Sequence, residues 1–375
     1  MSVEIRETPI GGSLRQFLDV VDYIYRDTKN YVRPLDFDVK NGLSPKHPFF
    51  EHGEATIFTA HRNGWCVGRC TAQVDQLHLE RHQDETGFFG FFDTIEDQDV
   101  ACELLDAACN WLSARGMKRV NGPLSLNYNG TVGCLVEGFD SKPVFLTPYH
   151  HPYQGGLIEG AGFQKLKDCY GWRYEVGDIP QRVQKAWDEI AAMPEISWRH
   201  VDLGQVSRDV RVVMDVYNDG WSDHWWFEPL TEAELTDLAQ ELRMVLVPEL
   251  TLIVEIDGEP AAVALALPNV NEMIGDLRGR LLPFGVLKLL WRLKVQGPKS
   301  ARLIILGIRK KYRNVKKYAA LSLFLYAKMN EAGTKTGCKW GELGWTMEDN
   351  HPVNVGIKMM GGKIYKRYRL YERAL

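Results

Sequence analysis

At 375 residues the chain exceeds the usual size of one hydrophobic core, so we expect two domains of ordinary size. A hydrophobic content of 45% and a charged content of 25% are typical of a soluble globular protein and exclude a disordered or fibrous one. The formal net charge of −4 argues against bulk binding to nucleic acid.

The first residues and the apolar runs argue against export and against a membrane span. Residues 1–9 mix charges and lack the apolar core of a signal peptide. The longest apolar stretches, near 261–267 and 281–291, are too short to cross a bilayer. The seven cysteines include no C-x-x-C pair, which favours free thiols in a reducing cytoplasm and gives no support for a metal site.

The first half of the chain predicts a small α/β unit that begins with a hairpin. Two alternating runs flank Arg62-Asn63-Gly64, which is a turn sequence. A run of apolar residues with helical period ends at Gly116, a typical residue after a helix C-terminus. The predicted order is hairpin, strand, helix, strand, helix and strand, at 55–61 and 65–74, 87–92, 97–115, 118–120, 155–161 and 171–176.

The second half repeats this order, which predicts a tandem duplication of one α/β (α+β) fold with two mixed sheets flanked by helices. The predicted parts are a first domain at 1–178, a linker helix within 179–195 and a second domain at 196–375. The predicted elements of the second domain are a strand at 198–203, helices at 206–217 and 232–242, a hairpin at 251–256 and 261–267, a strand at 302–308, a helix at 319–332, a strand at 340–345, a helix at 352–360 and a strand at 364–371.

The strand at 302–308 runs into Arg309-Lys-Lys-Tyr-Arg313-Asn-Val-Lys316-Lys317-Tyr318 and then into an apolar helix. This order resembles the GNAT acyltransferase superfamily, in which Arg/Gln-x-x-Gly-x-Gly/Ala opens a helix whose N–H groups bind the coenzyme A pyrophosphate. Arg313 stands at the family's first position, whereas Lys316 and Tyr318 replace its two glycines. The six basic residues of this segment would compensate by holding the phosphates with their side chains.

The end of the chain also resembles this family. Residues 340–350 and 352–362 are similar to its fifth strand and the helix that follows, with Asn350 on the family's asparagine. Ile357 stands where the family often has a general-acid tyrosine. The resemblance implies acyl-CoA as co-substrate, no metal, and the following coenzyme-binding residues: Leu306, Ile308, Arg309, Arg313, Lys316, Lys317, Tyr318 and Asn350.

Several further segments resemble a bacterial subgroup of long GNAT-like proteins, namely 127–139, 149–163, 217–221, 348–350, 361–363 and 365–372. The subgroup includes bacterial ceramide synthases, which N-acylate a long-chain sphingoid base. The resemblance implies acyl transfer from an acyl-CoA or acyl carrier protein thioester to an amine, with a sphingoid base as the best acceptor. Two alternatives are another small amine and a non-catalytic GNAT scaffold or regulatory binding protein, which the missing glycines and tyrosine favour.

Amide formation from a thioester needs a base for the amine and N–H donors for the developing oxyanion. In the family fold the pantetheine arm of the acyl donor pairs with the fourth strand. The resemblance assigns this role to 304–308, with one of its backbone N–H groups as the donor to the oxyanion. Glu342 is the first candidate base because it is the only carboxylate within 340–345, and the alternative is a solvated strand residue. Glu348 is a weaker candidate, since acids ahead of a helix often cap it. His224 lies where the family closes its acceptor site, although the aromatic residues around it also suit a core position.

The prediction for the acceptor consists of an amphipathic segment and a set of aromatic and polar residues. Residues 281–294 alternate leucines with basic residues, which predicts an amphipathic helix that lines a lipid path or rests on an anionic inner-membrane surface; the alternative is a helix packed on the core.

In the first domain, the acidic turn at 93–99 argues against a coenzyme site. The basic tail at 363–373 is interpreted as a strand with one solvated face, and we expect no nucleic-acid partner. The candidate acceptor-binding residues are Trp221, Trp225, Phe227, Asn127, Tyr128 and Tyr149.

Overall fold

Two strands of the chain each begin in one structural unit and end in another. The computed structural model describes residues 2–375 and divides them into two compact units. The first unit comprises residues up to Cys169, Ile274–Val286 and Lys366–Leu375, and the second comprises Tyr170–Met273 and Leu287–Tyr365. The division after Cys169 precedes the predicted boundary at 178, and the end of the chain returns to the first unit.

The thirteen strands are β1 (Glu4–Pro9), β2 (Gly53–Arg62), β3 (Trp65–Asp75), β4 (Thr86–Thr94), β5 (Arg119–Gly122), β6 (Cys134–Glu137), β7 (Gln164–Glu175), β8 (Ile196–His200), β9 (Thr251–Ile256), β10 (Glu259–Pro268), β11 (Ser300–Ile308), β12 (Trp340–Met347) and β13 (Lys363–Ala374), counted over residues 2–375. Every strand predicted from the sequence is present, and β1 and β6 are additional.

The α-helices of the same residues are α1 (Arg15–Ile24), α2 (Asp36–Gly42), α3 (Gln76–His82), α4 (Gln98–Ser113), α5 (Gln154–Gly160), α6 (Gln181–Ala191), α7 (Val206–Trp221), α8 (Glu232–Val245), α9 (Asn271–Ile274), α10 (Gly285–Trp291), α11 (Lys310–Arg313), α12 (Leu321–Thr336) and α13 (His351–Met359). The predicted helices are all present. None of the helices described is both long and apolar enough to cross a membrane. The seven cysteines form no disulfide among residues 2–375.

The strands of the first unit lie in the order β1-β2-β3-β4-β5-β13. Their pairings are antiparallel except that of β4 with β5, which is parallel. Helix α4 supplies Leu104, Leu105 and Leu112 to the main apolar core of this unit. Helix α1 places Phe17 in a second cluster with Phe49.

The gap between β4 and β5 is filled by the chain itself. Their pairing ends at Phe88 and Asn121, and the Leu124 N–H then donates a 2.8 Å hydrogen bond to the Phe89 carbonyl. The approach is so close that a Cβ added to Gly90 would lie 1.6 Å from the Leu124 oxygen. Residues after β5 therefore occupy the space that a ligand between these two strands would need.

The second unit has the strand order β7-β12-β11-β10-β9-β8, with β11 and β12 parallel. Helix α12 buries Phe324 and Leu325 in a core that also receives Val183 and Ile190 from α6. Helix α7 packs on β10 and β11 with a different set of apolar side chains. The C-terminal end of α7 thereby lies against the end of β11.

Candidate active site

Strands β11 and β12 separate part of the way along their length. They pair in parallel from Ser300 with Trp340 to Leu303 with Leu343. Strand β11 then continues to Ile308 in antiparallel pairing with β10, and a register shift leaves Ile304 as an extra residue in β11. Bulges of this kind re-aim the backbone and occur often beside active sites. A gap between two parallel strands therefore opens directly after the Ile304 bulge.

The basic segment that follows β11 forms ion pairs with acids at the end of α7. The guanidinium of Arg309 pairs with Asp215, and the Lys310 ammonium lies 2.6 Å from the Asp223 carboxylate. The Lys310 N–H donates a 2.8 Å hydrogen bond to Asp219. The three acids are spaced by four residues and so lie along one side of the helix and its extension. An anionic ligand at these cations would compete with carboxylates of the same chain.

The residues at the family's phosphate-binding positions differ in how they are held. Lys317 pairs with Glu195 at 2.5 Å, whereas Lys316 is exposed and has no ion pair among residues 2–375. Tyr318 packs edge-on against Tyr312, with ring centroids 5.5 Å apart. Helix α12 begins after Ala320 without a side-chain cap, so its first N–H groups are open to an anion.

Two side chains cover the exposed edge of β11. The Trp221 indole N–H donates a 3.2 Å hydrogen bond to the Leu306 carbonyl, and Arg313 Nε donates a 2.9 Å bond to the Ile308 carbonyl. Partial burial lowers the pKa of Arg313. Helix α7 approaches so closely that a Cβ at Gly220 would lie 3.0 Å from the Ile308 oxygen. The carbonyls that the resemblance assigns to a pantetheine arm are thus already engaged by Trp221 and Arg313.

Glu342 lies at the base of the gap and is completely buried. Its Oε1 is 3.2 Å from Nε of Arg302, which is also buried and donates a 3.0 Å hydrogen bond to the Gly344 carbonyl. The Tyr365 hydroxyl donates to the other oxygen, Oε2. Glu342 is therefore not the solvated strand residue of the alternative interpretation. Arg302 and Tyr365 are neighbours of this carboxylate that were not predicted from the sequence.

His224 lies at the other end of the gap. Its ring is 4.4 Å from the ring of Trp221, and its backbone N–H donates a 2.8 Å hydrogen bond to the Trp221 carbonyl. Burial lowers the pKa of His224, as does the Arg313 charge, while Asp223 and Asp349 oppose this shift. A half-buried imidazole that is neutral at pH 7 can accept a proton, so the geometry suits a base as well as a packing residue.

The turn that contains Glu348 and Asn350 is fixed by side chains that the sequence analysis did not select. Asn354 Nδ2 donates to the Met347 carbonyl at 3.0 Å and to the Glu348 carbonyl at 3.4 Å. Thr346 donates to Asn354 Oδ1, and the Trp172 indole donates to Thr346. Asn350 is the N-cap of α13 but makes no side-chain cap. Ile357 is buried in the core, so this position offers no proton donor.

The candidate acceptor-binding residues fall into two groups. Trp225 stacks on Trp226 at 3.9 Å, and Phe227 packs edge-on against Tyr217 at 5.6 Å, so these aromatic residues join Trp221 just after α7. The other three lie in the first unit, in packed surroundings. Asn127 accepts from the Asn129 N–H at 3.1 Å, Tyr128 is buried against Phe88, and the Tyr149 hydroxyl donates to the Phe139 carbonyl at 3.0 Å.

Comparison with known proteins shows full-length similarity to curated sequences. The chain is 38% identical over 379 residues to the bacterial ceramide synthase of Caulobacter vibrioides (strain NA1000 / CB15N), covering 100% of the chain and 98% of that protein. It is 34% identical to Protein YghO of Escherichia coli (strain K12), covering 97% of the chain and 93% of that protein. No family model matches the chain.

Two solved structures share the fold at low sequence identity. A tandem GNAT protein from the clavulanic acid biosynthesis pathway has a TM-score of 0.58 and 11% identity, covering 100% of this chain and 98% of its own. A GCN5-related N-acetyltransferase from Sphaerobacter thermophilus has a TM-score of 0.51 and 13% identity, covering 99% and 95%. At these identities the likeness concerns the fold alone, and it confirms the predicted tandem GNAT-like fold.

Proposed function

The chain belongs to the group of long GNAT-type acyltransferases that includes the bacterial ceramide synthase of C. vibrioides, and from this premise we propose that it N-acylates a long-chain sphingoid base from acyl-CoA. The enzyme is an acyltransferase; the sphingoid acceptor is the specific part of the proposal. One observation carries it: the gap between β11 and β12 opens beside the buried Glu342 and ends at a cluster of basic side chains.

The donor lies along β11 in this proposal. The pantetheine amides pair with the Leu306 and Ile308 carbonyls after Trp221 and Arg313 release them. The coenzyme phosphates bind at the start of α12, where Lys316 has no competing ion pair among the described residues. An acyl carrier protein would present the same arm without the nucleotide. Activity with an acylated carrier protein but not with acyl-CoA would therefore identify the carrier protein as the donor.

The lipid nature of the acceptor is supported by exposed apolar side chains in 281–294. Leu282, Leu287 and Trp291 are 81%, 68% and 52% exposed, and Lys288 and Lys294 lie among them at the surface. The helix is therefore not packed with its leucines on the core. This pattern is typical of segments that rest on anionic membranes, and the proposal includes peripheral membrane contact through 281–294.

Vesicle sedimentation tests this contact separately from catalysis. We expect the full chain to bind vesicles that contain the anionic lipid phosphatidylglycerol more tightly than neutral phosphatidylcholine vesicles. Leu287→Ser with Trp291→Ser removes this binding, while Trp65→Ser and Met244→Ser, at two other exposed positions, retain it. Equal binding to both vesicle types, or no binding, would contradict membrane contact.

Mass spectrometry of the products tests the reaction. Incubation with palmitoyl-CoA and either sphinganine or 3-ketosphinganine should give the corresponding amide. Glu342→Gln and Arg313→Ala should each reduce the rate by roughly 100-fold or more, because they remove a buried carboxylate at the gap and a guanidinium at the phosphate end. Glu331→Gln on α12 and Arg211→Ala on α7 are the matched controls and should retain activity.

The outcome without an amide is also informative. A thermal shift with coenzyme A but no product from either base would retain the acyltransferase and discard the sphingoid acceptor in favour of another amine. Absence of both the thermal shift and the product would remove the proposed donor as well.

A further inference from the structure

Tyr365 on β13 is half-buried, and its hydroxyl donates a hydrogen bond to Oε2 of Glu342. We infer that Tyr365 is a catalytic residue that protonates the leaving thiolate and that Glu342 then returns a proton to it. This inference rests on the proposed function, because it concerns the same acyl transfer. Tyr365 would supply the general acid that Ile357, at the family's usual tyrosine position, cannot provide.

The need for an acid follows from the reaction. When the amine attacks the thioester, the coenzyme leaves as an alkyl thiolate. A thiol such as that of cysteine, with an ordinary pKa of about 8.5, is mostly protonated at neutral pH, so protonation assists departure. Ile357 stands at the family's tyrosine position and is buried in the core. A proton donor must therefore come from another element.

The direction of the donor along β11 places its thioester near Tyr365. The phosphates bind beyond Ile308, so the pantetheine arm must run back towards Ile304. The strand between these residues spans roughly 13 Å, at about 3.3 Å per residue. The thioester end of the arm then reaches the base of the gap, which opens after the pair of Leu303 with Leu343, the next pair beyond Arg302 with Glu342. Tyr365 and Glu342 meet at this end.

Arg302 fixes the geometry of the pair. Its Nε is 3.2 Å from Oε1 of Glu342 and donates to the Gly344 carbonyl, so Arg302 fixes the carboxylate relative to the backbone of β12. The second carboxylate oxygen is left to Tyr365. The ion pair and the hydrogen bond of Arg302 therefore orient the carboxylate, and Arg302 is accordingly a positioning residue.

The step balances without another reactant. The neutral amine nitrogen forms the C–N bond, the C–S bond breaks, and the proton lost by the nitrogen passes to Glu342. The Tyr365 hydroxyl gives its proton to the sulfur, and protonated Glu342 restores the phenol. The products are the amide and the free thiol, and both side chains end in their starting states.

A comparison of two donors tests the relay. The donors are palmitoyl-CoA and the palmitoyl thioester of 4-nitrothiophenol, whose thiolate leaves without protonation. We expect Tyr365→Phe to lower kcat by about 100-fold with palmitoyl-CoA and by less than about fivefold with the activated thioester, because the activated leaving group needs no acid. Glu342→Gln should be impaired with both donors, since the amine still needs a base.

The control variant is Tyr174→Phe, which removes a 2.7 Å hydrogen bond from a buried tyrosine to Asn330 in the same unit. It should resemble the wild type with both donors. Equal losses for Tyr365→Phe with the two donors would assign it a structural role and overturn the relay, as would wild-type rates. A wild type that makes no amide from either donor would instead overturn the proposed function, and the relay with it.

Discussion

The Trp221 indole donates a hydrogen bond to Leu306 on β11, the strand along which we propose that the acyl donor lies. Its N–H donates a 3.2 Å hydrogen bond to the carbonyl of Leu306, in the part of β11 beyond its pairing with β12. Gly220 permits this contact, because any larger residue would press on the Ile308 carbonyl. In the proposed binding mode, the end of α7 therefore occupies the place of the donor, and donor binding has to displace it.

Trp221→Phe should tighten coenzyme A binding by roughly two- to tenfold, since an intramolecular hydrogen bond contributes about 0.5–1.5 kcal/mol that the donor no longer has to replace. The same variant without ligand should melt about 2–4 °C lower. Isothermal titration and thermal unfolding measure the two effects. Weaker coenzyme binding would mean that the indole contacts the donor rather than competing with it.

In the proposed binding mode, the carboxylates near the basic segment compete with the coenzyme phosphates. Asp223 pairs with Lys310, and the two side chains are 72% and 41% exposed. Asp223→Asn should improve coenzyme A affinity by about threefold at low salt, and the gain should fade at high salt because exposed charges are screened. Asp237→Asn on α8 is the matched control. An equal gain for Asp237→Asn would show a general charge effect instead of a specific pairing.

The order of strands and helices could be read from the sequence because periodicity and turn residues mark each element. Helix α8 begins with a capping box of Thr231 and Glu234, and α12 ends at Gly337 in the left-handed conformation. Helix α1 was missed although five of its apolar side chains are buried, because Leu14 provides no side-chain cap to mark its start. The segment with a helical period of apolar residues was too short to identify α1 without such a cap.

The site was harder to predict, because its contacts join residues far apart in the sequence. Glu342 could be selected as the only carboxylate of an apolar strand, but nothing near it predicts that Tyr365 would donate to it. Arg302 carried a usable signal, since it is a lone charge in an otherwise apolar strand. The filled gap at Gly90 and Leu124 depends on a close backbone approach that no local pattern reveals.

Coenzyme A should bind with a stoichiometry of one per chain. The second unit has a gap between its parallel strands, whereas in the first unit Leu124 fills the equivalent place. Isothermal titration should therefore give a single site, and Arg313→Ala should weaken that site without revealing another. A second site that survives Arg313→Ala would show that the first unit also binds the coenzyme.

The first unit should lose stability in acid through His150. Burial lowers the pKa of His150 to about 4, while Asp93 opposes this shift and Arg69 and His151 reinforce it. Its neutral Nδ1 accepts a 3.0 Å hydrogen bond from the Leu135 N–H. In the unfolded chain the imidazole has its ordinary pKa of about 6.5, so the unfolded state binds the proton first as the pH falls.

This linkage gives a stabilisation that is complete above pH 6.5 and lost as the pH falls towards 4, amounting to about 3 kcal/mol at about 1.36 kcal/mol per pKa unit. His150→Asn keeps an acceptor but does not titrate, so its deficit in free energy of unfolding should be largest at pH 7 and shrink by about that amount at pH 4. Urea unfolding at several pH values measures this, with the exposed His351→Asn as control. A deficit for His150→Asn that is constant with pH would mean that folding does not shift the pKa of His150.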